Sequence, residues 1–430
     1  MLRKCYEILH FKWISKDGKL ILIARLVRNF SYGFLSIILA IYLRLVGLDS
    51  FLVGIVLTAS LLNSIIFTLL ASFYVDQIGL RKMLIIYSGL MSLSGAIFLT
   101  TNNFIALIGA ALIGTINVTG SETGAFLSIE QAVLPNTVDN IKRRNSIFAI
   151  YNIVGTFAMA AGVLLAGLPN VFQQLFQLNP TDAIKPLFLL YSILGLTVMG
   201  IYFFLSKKIE LDESMDKESI PKQYTCSPHS LSTNSKITIA KLSGLFAVDS
   251  FAGGFIIQSI VSFWFYTKFQ ADLILLSYIF SIAGILTAFS FVIASKVADR
   301  VGLINTMVFS HIPSNVLIII VAFAPTLPIA IGLYIARLAL SQMDVPTRQS
   351  YVMSVVREEE RTAAAGITNT SRNVAQAISP SIAGYILQSM SLLYAPFLIG
   401  GLLKIIYDVA LYFSFRNLKP SNEDQDISRR

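Results

Sequence analysis

Long apolar runs without any charged side chain dominate the chain. Seven such runs cover residues 50–75, 83–121, 145–181, 186–206, 273–295, 303–336 and 373–403. The shortest of them matches the roughly 20 residues that a helix needs to cross a bilayer. The pattern therefore predicts an all-α integral membrane protein with many spans.

Polar clusters and Pro or Gly residues divide these runs into twelve predicted transmembrane helices. The predicted spans cover residues 20–43, 51–75, 83–101, 104–128, 145–167, 187–206, 242–266, 273–297, 303–324, 328–350, 362–388 and 393–415. A polar stretch at 207–241 has mixed charge and no apolar period, which is typical of a linker. It separates two six-helix bundles, 20–206 and 242–416, which lie between an amino-terminal segment 1–19 and a tail 417–430.

Lysine and arginine are distributed unequally between the predicted loops. One side has only Arg44, Lys185 and Lys268, whereas the loops, linker and termini of the other side are rich in both residue types. Basic residues are retained on the cytoplasmic side of a membrane. We therefore expect a multi-pass protein of the cell membrane with both termini in the cytoplasm.

The composition agrees with this prediction. Of the 430 residues, 55% are hydrophobic and 13% are charged, against about 25% charged in soluble proteins. This excludes a soluble enzyme and a nucleic-acid-binding domain, and contact with anionic lipid headgroups accounts for the net charge of +9. Cys5 and Cys226 lie far apart in polar segments, so we expect neither a disulfide nor a metal site.

The two predicted halves repeat short sequence motifs. The motif Ala-Ser-x-x-x-Asp-x-x-Gly-Leu occurs at 71–80 and again at 294–303, in each case at the end of the second span of its half. A second match aligns the Phe and Gly positions of 28–34 with those of 249–255. Repeated halves are common in membrane transporters.

In this setting, Asp-Gln-Ile-Gly-Leu-Arg-Lys at 76–82 resembles the signature loop G-x-x-x-D-R-x-G-R-R/K of the major facilitator superfamily of secondary transporters. The resemblance covers residues 20–416 and includes the six-plus-six arrangement of spans. It implies a binding site near the middle of the membrane, between two halves that rock around it. The loop departs from the signature at Ser72, Gln77 and Leu80, which replace a glycine and two basic residues.

The resemblance also implies roles for the repeated loops. In the family, the aspartate of the first copy contacts the neighbouring half, and its basic partners hold the cytoplasmic side closed. By this resemblance Asp76, Gly79 and Arg81 belong to a gate, with Asp299 and Gly302 in the second copy. A loop with a capping aspartate is the alternative interpretation.

Several ionisable side chains fall inside predicted spans, where each must face a cavity, find a partner or reach the interface. They are Arg25, Arg28, Glu122, Asp249, Arg337, Asp344, Arg348, Arg372, Lys404 and Asp408. The internal alignment places Arg28 opposite Asp249. We expect these two to face one another or a shared substrate, with Asp249 able to bind a proton. A fixed ion pair that holds the halves together is the alternative.

Four further positions are candidates for the cavity or lie near it. Glu122, among Gly, Ser and Thr residues, is either a proton or cation site or a carboxylate near the cytoplasmic end of its span. Arg337 and Arg372 lie far from the ends of theirs. Together with Arg25 and Arg28 they favour a substrate with a carboxylate, phosphate or sulfate group. The acidic residues of the spans could neutralise these arginines, so the sequence does not determine the sign of the net charge in the cavity.

Two pairs of opposite charge lie four residues apart in the tenth and twelfth spans. We expect Asp344 with Arg348, and Lys404 with Asp408, to form structural ion pairs on one face of their helices. His311 closely precedes a proline and is interpreted as the mark of a kink.

Together these features predict a secondary active transporter of a small organic or anionic solute, coupled to protons. We expect a monomer without a cofactor that contacts lipids and no nucleic acid. No G-x-x-x-x-G-K-[ST] motif points to ATP as the energy source, and no H-E-x-x-H or G-x-S-x-G motif points to an enzyme. A proton-driven exporter of drugs or hydrophobic cations and a non-transporting sensor with the same fold are the alternatives.

Overall fold

The computed structural model describes residues 13–121, 124–138, 144–206, 233–356 and 360–416. Within these ranges the chain is almost entirely helical, and the β contact is an isolated antiparallel bridge between Ile14 and Val138. Glu122, residues 207–232 of the predicted linker and the tail 417–430 lie outside the described residues.

Eight α-helices of the described residues lie before the linker, and the first three begin and end close to the predicted boundaries. They are α1 (Lys16–Leu45), α2 (Ser50–Ile78), α3 (Leu80–Thr100), α4 (Phe104–Ile113), α5 (Ala125–Val133), α6 (Arg144–Leu164), α7 (Leu168–Phe176) and α8 (Pro180–Phe203). Helix α1 starts after Ser15, whose side chain accepts a hydrogen bond from the backbone N–H of Gly18. This serine fixes the point at which the first span begins.

The helices after the linker follow in the same way. They are α9 (Thr233–Gly254), α10 (Gln258–Phe269), α11 (Leu273–Val301), α12 (Leu303–Ala322), α13 (Leu327–Ser341), α14 (Asp344–Ser354), α15 (Arg361–Ile386) and α16 (Ala395–Phe415). Short 3₁₀ segments occur at Leu134–Thr137, Leu165–Gly167 and Met390–Leu392.

Helices α2 and α11 show the internal repeat directly, because both are 29 residues long. Each begins after an aspartate, Asp49 or Asp272, whose side chain accepts a hydrogen bond from a backbone N–H in the first turn. Each ends at a glycine, Gly79 with φ 90° and Gly302 with φ 87°. L-residues with a side chain rarely adopt such φ values, so glycine is required at both turns.

Each predicted span contains helix in the structure, although three of them are not continuous. Among the described residues, nine helical segments are long and apolar enough to cross a membrane. The fourth and tenth predicted spans begin with the shorter apolar helices α4 and α13, and the eleventh is the more polar α15.

Three predicted spans are interrupted near their middle. The described residues of these interruptions are 114–121 with 124, 255–257, and 342–343. In the first of them, Asn117 Oδ1 accepts from the N–H of Thr119 at 2.9 Å, and Asn117 Nδ2 donates to the carbonyl of Ser121 at 2.5 Å. The asparagine thereby satisfies backbone groups that an interrupted membrane helix would otherwise leave unbonded. The sequence analysis predicted a continuous helix at each of these places, and the structure corrects this.

The buried apolar residues form three clusters. The largest combines both halves and includes Ile41 and Trp264. A second cluster belongs to the first half and includes Ile21 near the start of α1, and a third belongs to the second half and includes Phe415 at the end of α16. We call the face at which these two ends lie the terminal face. The halves therefore share a core towards the opposite face and have separate cores at the terminal face.

Small and hydroxyl-bearing residues form the contact between the halves. The hydroxyls of Thr58 and Ser381 are 2.7 Å apart where α2 meets α15. A Cβ atom on Gly54 would collide with the carbonyl oxygen of Pro380, so the two backbones approach more closely than a larger residue allows. We call this contact the seam, and it comprises Ser36, Gly54, Thr58, Gln258, Ser259, Ser381 and Gly384.

Candidate functional site

Arg28 of α1 lies in a buried cluster within the first half. Its Nη2 is 2.6 Å from Glu130 Oε2 and its Nη1 is 3.1 Å from Glu130 Oε1, so the pair is bidentate. Tyr202 and Tyr151 each donate a hydrogen bond of 2.6 Å to Glu130. The Arg28 and Glu130 side chains are fully enclosed. These added hydrogen bonds compensate for the water that both charges have lost.

Asp249 of α9 lies in a second cluster within the other half. Lys404 of α16 is 2.5 Å from Asp249 Oδ1, and Arg348 of α14 is 3.4 Å from Oδ2. Arg348 also binds Asp344 at 2.6 Å, which confirms the predicted pair within α14. The two basic and two acidic side chains balance in charge.

The two clusters are equivalent in place, but the residues that align, Arg28 and Asp249, carry opposite charges. Arg28 and Asp249 align in the internal repeat, and each pairs with a residue on the terminal-face part of its interrupted fourth or tenth span, Glu130 on α5 or Arg348 on α14. The expectation that Arg28 and Asp249 face one another was therefore wrong. Each of the two charges is neutralised by a partner of opposite charge within its own half.

Asp408 of α16 also differs from the prediction. His311 Nδ1 is 2.8 Å from Asp408 Oδ1, and Asn315 Nδ2 donates to Oδ2 at 2.9 Å. Lys404 reaches across to Asp249, so the predicted Lys404–Asp408 pair was wrong. Lys404 and Asp408 are one turn apart on α16 but face different neighbouring helices. The packing of the helices, and not the spacing in the sequence, therefore determines their partners. His311 is a buried hydrogen-bonding partner, which its position before a proline did not reveal.

Three further predicted cavity arginines are buried or partly buried. The guanidinium of Arg25 stacks on the Tyr151 ring, 3.6 Å from its centre, and the absence of a side chain at Gly155 makes room for it. Arg372 Nε donates to Ser250 Oγ at 2.9 Å. Arg337 is 7% exposed and has no hydrogen bond or ion pair with any residue in the described part of the chain.

The predicted gating loops are described in part. Gly79 and Gly302 form the two turns, and Arg81 Nη2 donates to the carbonyl of Phe203 at 2.6 Å, which ties α3 to the end of α8. The side chains of Asp76 and Asp299 lie outside the described part of the structure, as does the whole of Glu122. The roles predicted for these three acids stay predictions.

A polar pocket lies beside the interruption between α4 and α5. Tyr32, Asn63, Ser64 and Thr115 contribute to its lining, and its described lining residues are all uncharged. Asn63 Nδ2 donates to the carbonyl of Leu112 at 2.6 Å. This bond leaves the Asn63 Oδ1 atom as an acceptor for a solute.

Glu130 and His311 are the site residues that the sequence analysis missed. Glu130 lies two residues beyond the predicted end of the fourth span and five before Pro135, so the sequence analysis did not place it inside the membrane. A carboxylate eight positions after Glu122 in an otherwise apolar run was the signal available. Neither residue could be paired with its partner without the fold.

Repeated helical halves, interrupted spans and buried charge clusters define a polytopic membrane protein of the transporter type. The chain belongs to the Major Facilitator Superfamily, whose sequence pattern matches residues 21–380. It is 28% identical over 428 residues to an uncharacterized membrane protein of Saccharomyces cerevisiae, with 94% of this chain and 95% of that protein covered.

Two groups of solved structures share the fold. The nucleoside transporter NupG superposes with a TM-score of 0.71 at 14% sequence identity, covering 94% of this chain and 100% of NupG. A D-xylose-proton symporter superposes with a TM-score of 0.70 at 13% identity, covering 92% of this chain and 96% of that one. At these identities the likeness concerns the fold alone.

Proposed function

We propose that the protein is a secondary active transporter of a small organic solute that works by alternating access. Residues 20–206 and 242–416 move as two units, with the solute between them. The arrangement of the core carries this proposal: the halves share one apolar cluster towards the opposite face and have separate clusters at the terminal face. This arrangement corresponds to a conformation in which the path between the halves is closed at one face and open at the other.

The terminal face is the cytoplasmic one in this proposal, and the described state is open towards the cytoplasm. The basic loops lie on the side of both termini, which supports this orientation. The protein functions as a monomer in the cell membrane, in contact with lipids and without a cofactor.

The charged cluster around Asp249 is the element that we propose for proton coupling. Lys404 and Arg348 both contact Asp249. Arg348 also binds Asp344, and Arg372 bonds to Ser250, the residue after Asp249. A proton on Asp249 would remove the attraction that holds Lys404 and so loosen α16 from α9. His311 and Asp408 lie on the neighbouring face of α16 and are the second titratable pair that faces this region.

An exporter of hydrophobic cations is the weaker alternative. Such a protein needs an acidic side chain free to receive the cation. Asp249 is bound by two basic side chains and Glu130 by Arg28 and two tyrosines. The described lining of the pocket is uncharged and these two carboxylates are satisfied, which supports an uncharged or anionic solute instead.

The test locks the seam. In a background with Cys5→Ser and Cys226→Ser, the pair Thr58→Cys and Ser381→Cys places two thiols where hydroxyls are now 2.7 Å apart. Reconstituted vesicles containing a pH-sensitive dye are challenged with hexoses, nucleosides, amino acids, carboxylates, sugar phosphates and hydrophobic cations. We expect one class to drive proton movement, oxidation of the pair to stop it and reduction to restore it.

The single variant Thr58→Cys is the matched control, because it keeps one thiol and cannot form the lock. Its flux should resist oxidation. Flux that continues in the oxidised double variant would overturn alternating access at this seam. A correctly folded protein that moves no solute of any class would favour the non-transporting sensor.

A further inference from the structure

Arg337 lies deep inside the membrane-spanning part of α13. It is ten residues beyond Leu327, which at 1.5 Å per residue places it roughly 15 Å from the start of the helix. That is about half of the roughly 30 Å hydrocarbon thickness. Its side chain is 7% exposed, so the guanidinium can reach neither interface by extending along the helix.

Three other buried basic side chains of the described chain show what Arg337 lacks. Arg28 is held by Glu130, Arg348 by Asp344 and Lys404 by Asp249. Arg337 Nε is buried without a hydrogen bond, and none of its nitrogens forms an ion pair with a described residue. Its neighbour is the ring of Tyr334, 5.9 Å from the guanidinium carbon. A buried cation without a counter-ion is costly, and proteins retain such a residue where it has a function.

The face of α13 that carries Arg337 packs against two helices of its own half, α10 and α11. Tyr334, one turn earlier on that face, packs against Phe265 of α10 at 5.8 Å and Phe280 of α11 at 5.5 Å between ring centres. Helices α10 and α11 are the ones that contact α1 and α6 across the seam. The unpaired guanidinium therefore lies inside the protein, beside helices that also contact the first half.

We infer that Arg337 is the recognition residue for the anionic group of the transported solute, which is a small organic carboxylate or phosphate. This rests on the proposed transport function and names its substrate class. The guanidinium presents two parallel N–H groups that match a carboxylate or phosphate, and the anion supplies the counter-charge that the described chain does not. A charge-assisted pair of this kind forms in the solute-bound protein and is absent from the empty one.

The test measures binding without transport. The thermal unfolding midpoint of the purified full-length protein is recorded with acetate, succinate, citrate, glucose 6-phosphate and inorganic phosphate, and with glucose and inositol as uncharged probes. Since a ligand of the folded state raises apparent stability, we expect one organic anion to raise the midpoint. Arg337→Gln should lower the binding affinity for that anion about tenfold or more, and Arg337→Lys should lower it less.

Arg300→Gln is the matched control, because it removes one positive charge at the exposed end of α11. It should bind the anion as the wild type does. Equal loss in both variants would show a general charge effect and overturn the inference, as would an Arg337→Gln protein that binds the anion unchanged or a wild type stabilised by uncharged probes alone. Circular dichroism of each variant confirms that it is folded.

Failure of the inference and failure of the proposed function have different signatures. Anion binding that depends on Arg337, in vesicles that show no flux, would sustain the recognition site and remove the transport proposal. Flux of an uncharged solute that is unaffected by Arg337→Gln would sustain transport and remove the recognition site.

Discussion

Arg28 and Asp249 occupy equivalent positions in the two halves of the molecule and carry opposite charges. Each is neutralised within its own half, Arg28 by Glu130 and Asp249 by Lys404 and Arg348. In the described part of the chain the ion pairs thus hold each half together internally, while hydroxyls, glycines and the shared apolar cluster join one half to the other. This division lets the halves separate without breaking a buried ion pair.

Breaking the first of these pairs should destabilise the protein strongly. Arg28→Met leaves Glu130 buried without its counter-ion, which costs about 3–5 kcal/mol of the free energy of unfolding. Thermal unfolding in detergent measures this. Adding Glu130→Gln should recover part of the loss, because a neutral amide needs no counter-ion and its one oxygen still accepts from one of the two tyrosines.

The control for that experiment is the exposed pair between Lys185 and Asp182. Lys185→Met should change stability by about 1 kcal/mol or less, because water screens an exposed pair. If Arg28→Met behaved like Lys185→Met, the Arg28–Glu130 contact would contribute little to the fold.

Asp249→Asn should remove the pH dependence of solute flux. The amide cannot exchange a proton, and Lys404 would lack its carboxylate partner in every state. Flux in vesicles is measured between pH 5.5 and 8, with Asp182→Asn at the exposed end of α8 as the control that keeps the wild-type profile. An unchanged profile in Asp249→Asn would assign coupling to another group, with His311–Asp408 as the next candidate.

A larger side chain at Gly54 should hold the seam open. Because a Cβ atom there already meets the carbonyl of Pro380, Gly54→Leu forces α2 away from α15. Labelling of Ser259→Cys by a membrane-impermeant thiol reagent, in the background without Cys5 and Cys226, should rise several-fold from the opposite face.

Gly109 of α4 offers the matched control, since a Cβ atom there meets nothing within 4 Å. Gly109→Leu should leave the labelling rate unchanged. Equal labelling in the two leucine variants would show that the seam tolerates bulk and that the close approach at Gly54 is not what closes it.

Arg337→Met should stabilise the protein in the absence of solute. Replacing a buried charge that lacks a partner by an apolar side chain of similar length is neutral or favourable, by about 1–4 kcal/mol. The thermal unfolding midpoint should therefore rise, in contrast to the fall expected for Arg28→Met. A fall of similar size in both variants would reveal a structural partner for Arg337.

The sequence predicted the positions of the spans because an apolar run of about 20 residues is typical of a helix that crosses a membrane. The repeat around Gly79 and Gly302 was predictable for a related reason, since a turn with positive φ restricts the residue type at both places. The sequence also identified Arg28, Asp249 and Arg337 as intramembrane charges that need an explanation.

The partners of these charges were not predictable, because they come from other helices. The spacing of Lys404 and Asp408 pointed to a pair within α16, whereas packing provides Asp249 for the one and His311 for the other. The interruption at 114–124 did carry a signal, namely glycines and an asparagine inside an apolar run. Such residues form a turn inside a membrane only if the backbone groups of the turn find hydrogen-bond partners. Asn117 provides these partners here.

The chemistry of the seam bears on how fast the halves can part. Interlocked large side chains would lose many close contacts at once, and that loss would appear as a high activation barrier. The hydroxyls of Thr58, Ser259 and Ser381 instead bond to one another or to carbonyls, and water can replace such bonds with little net change in energy. A seam of this composition favours rapid interconversion over a long-lived closed state.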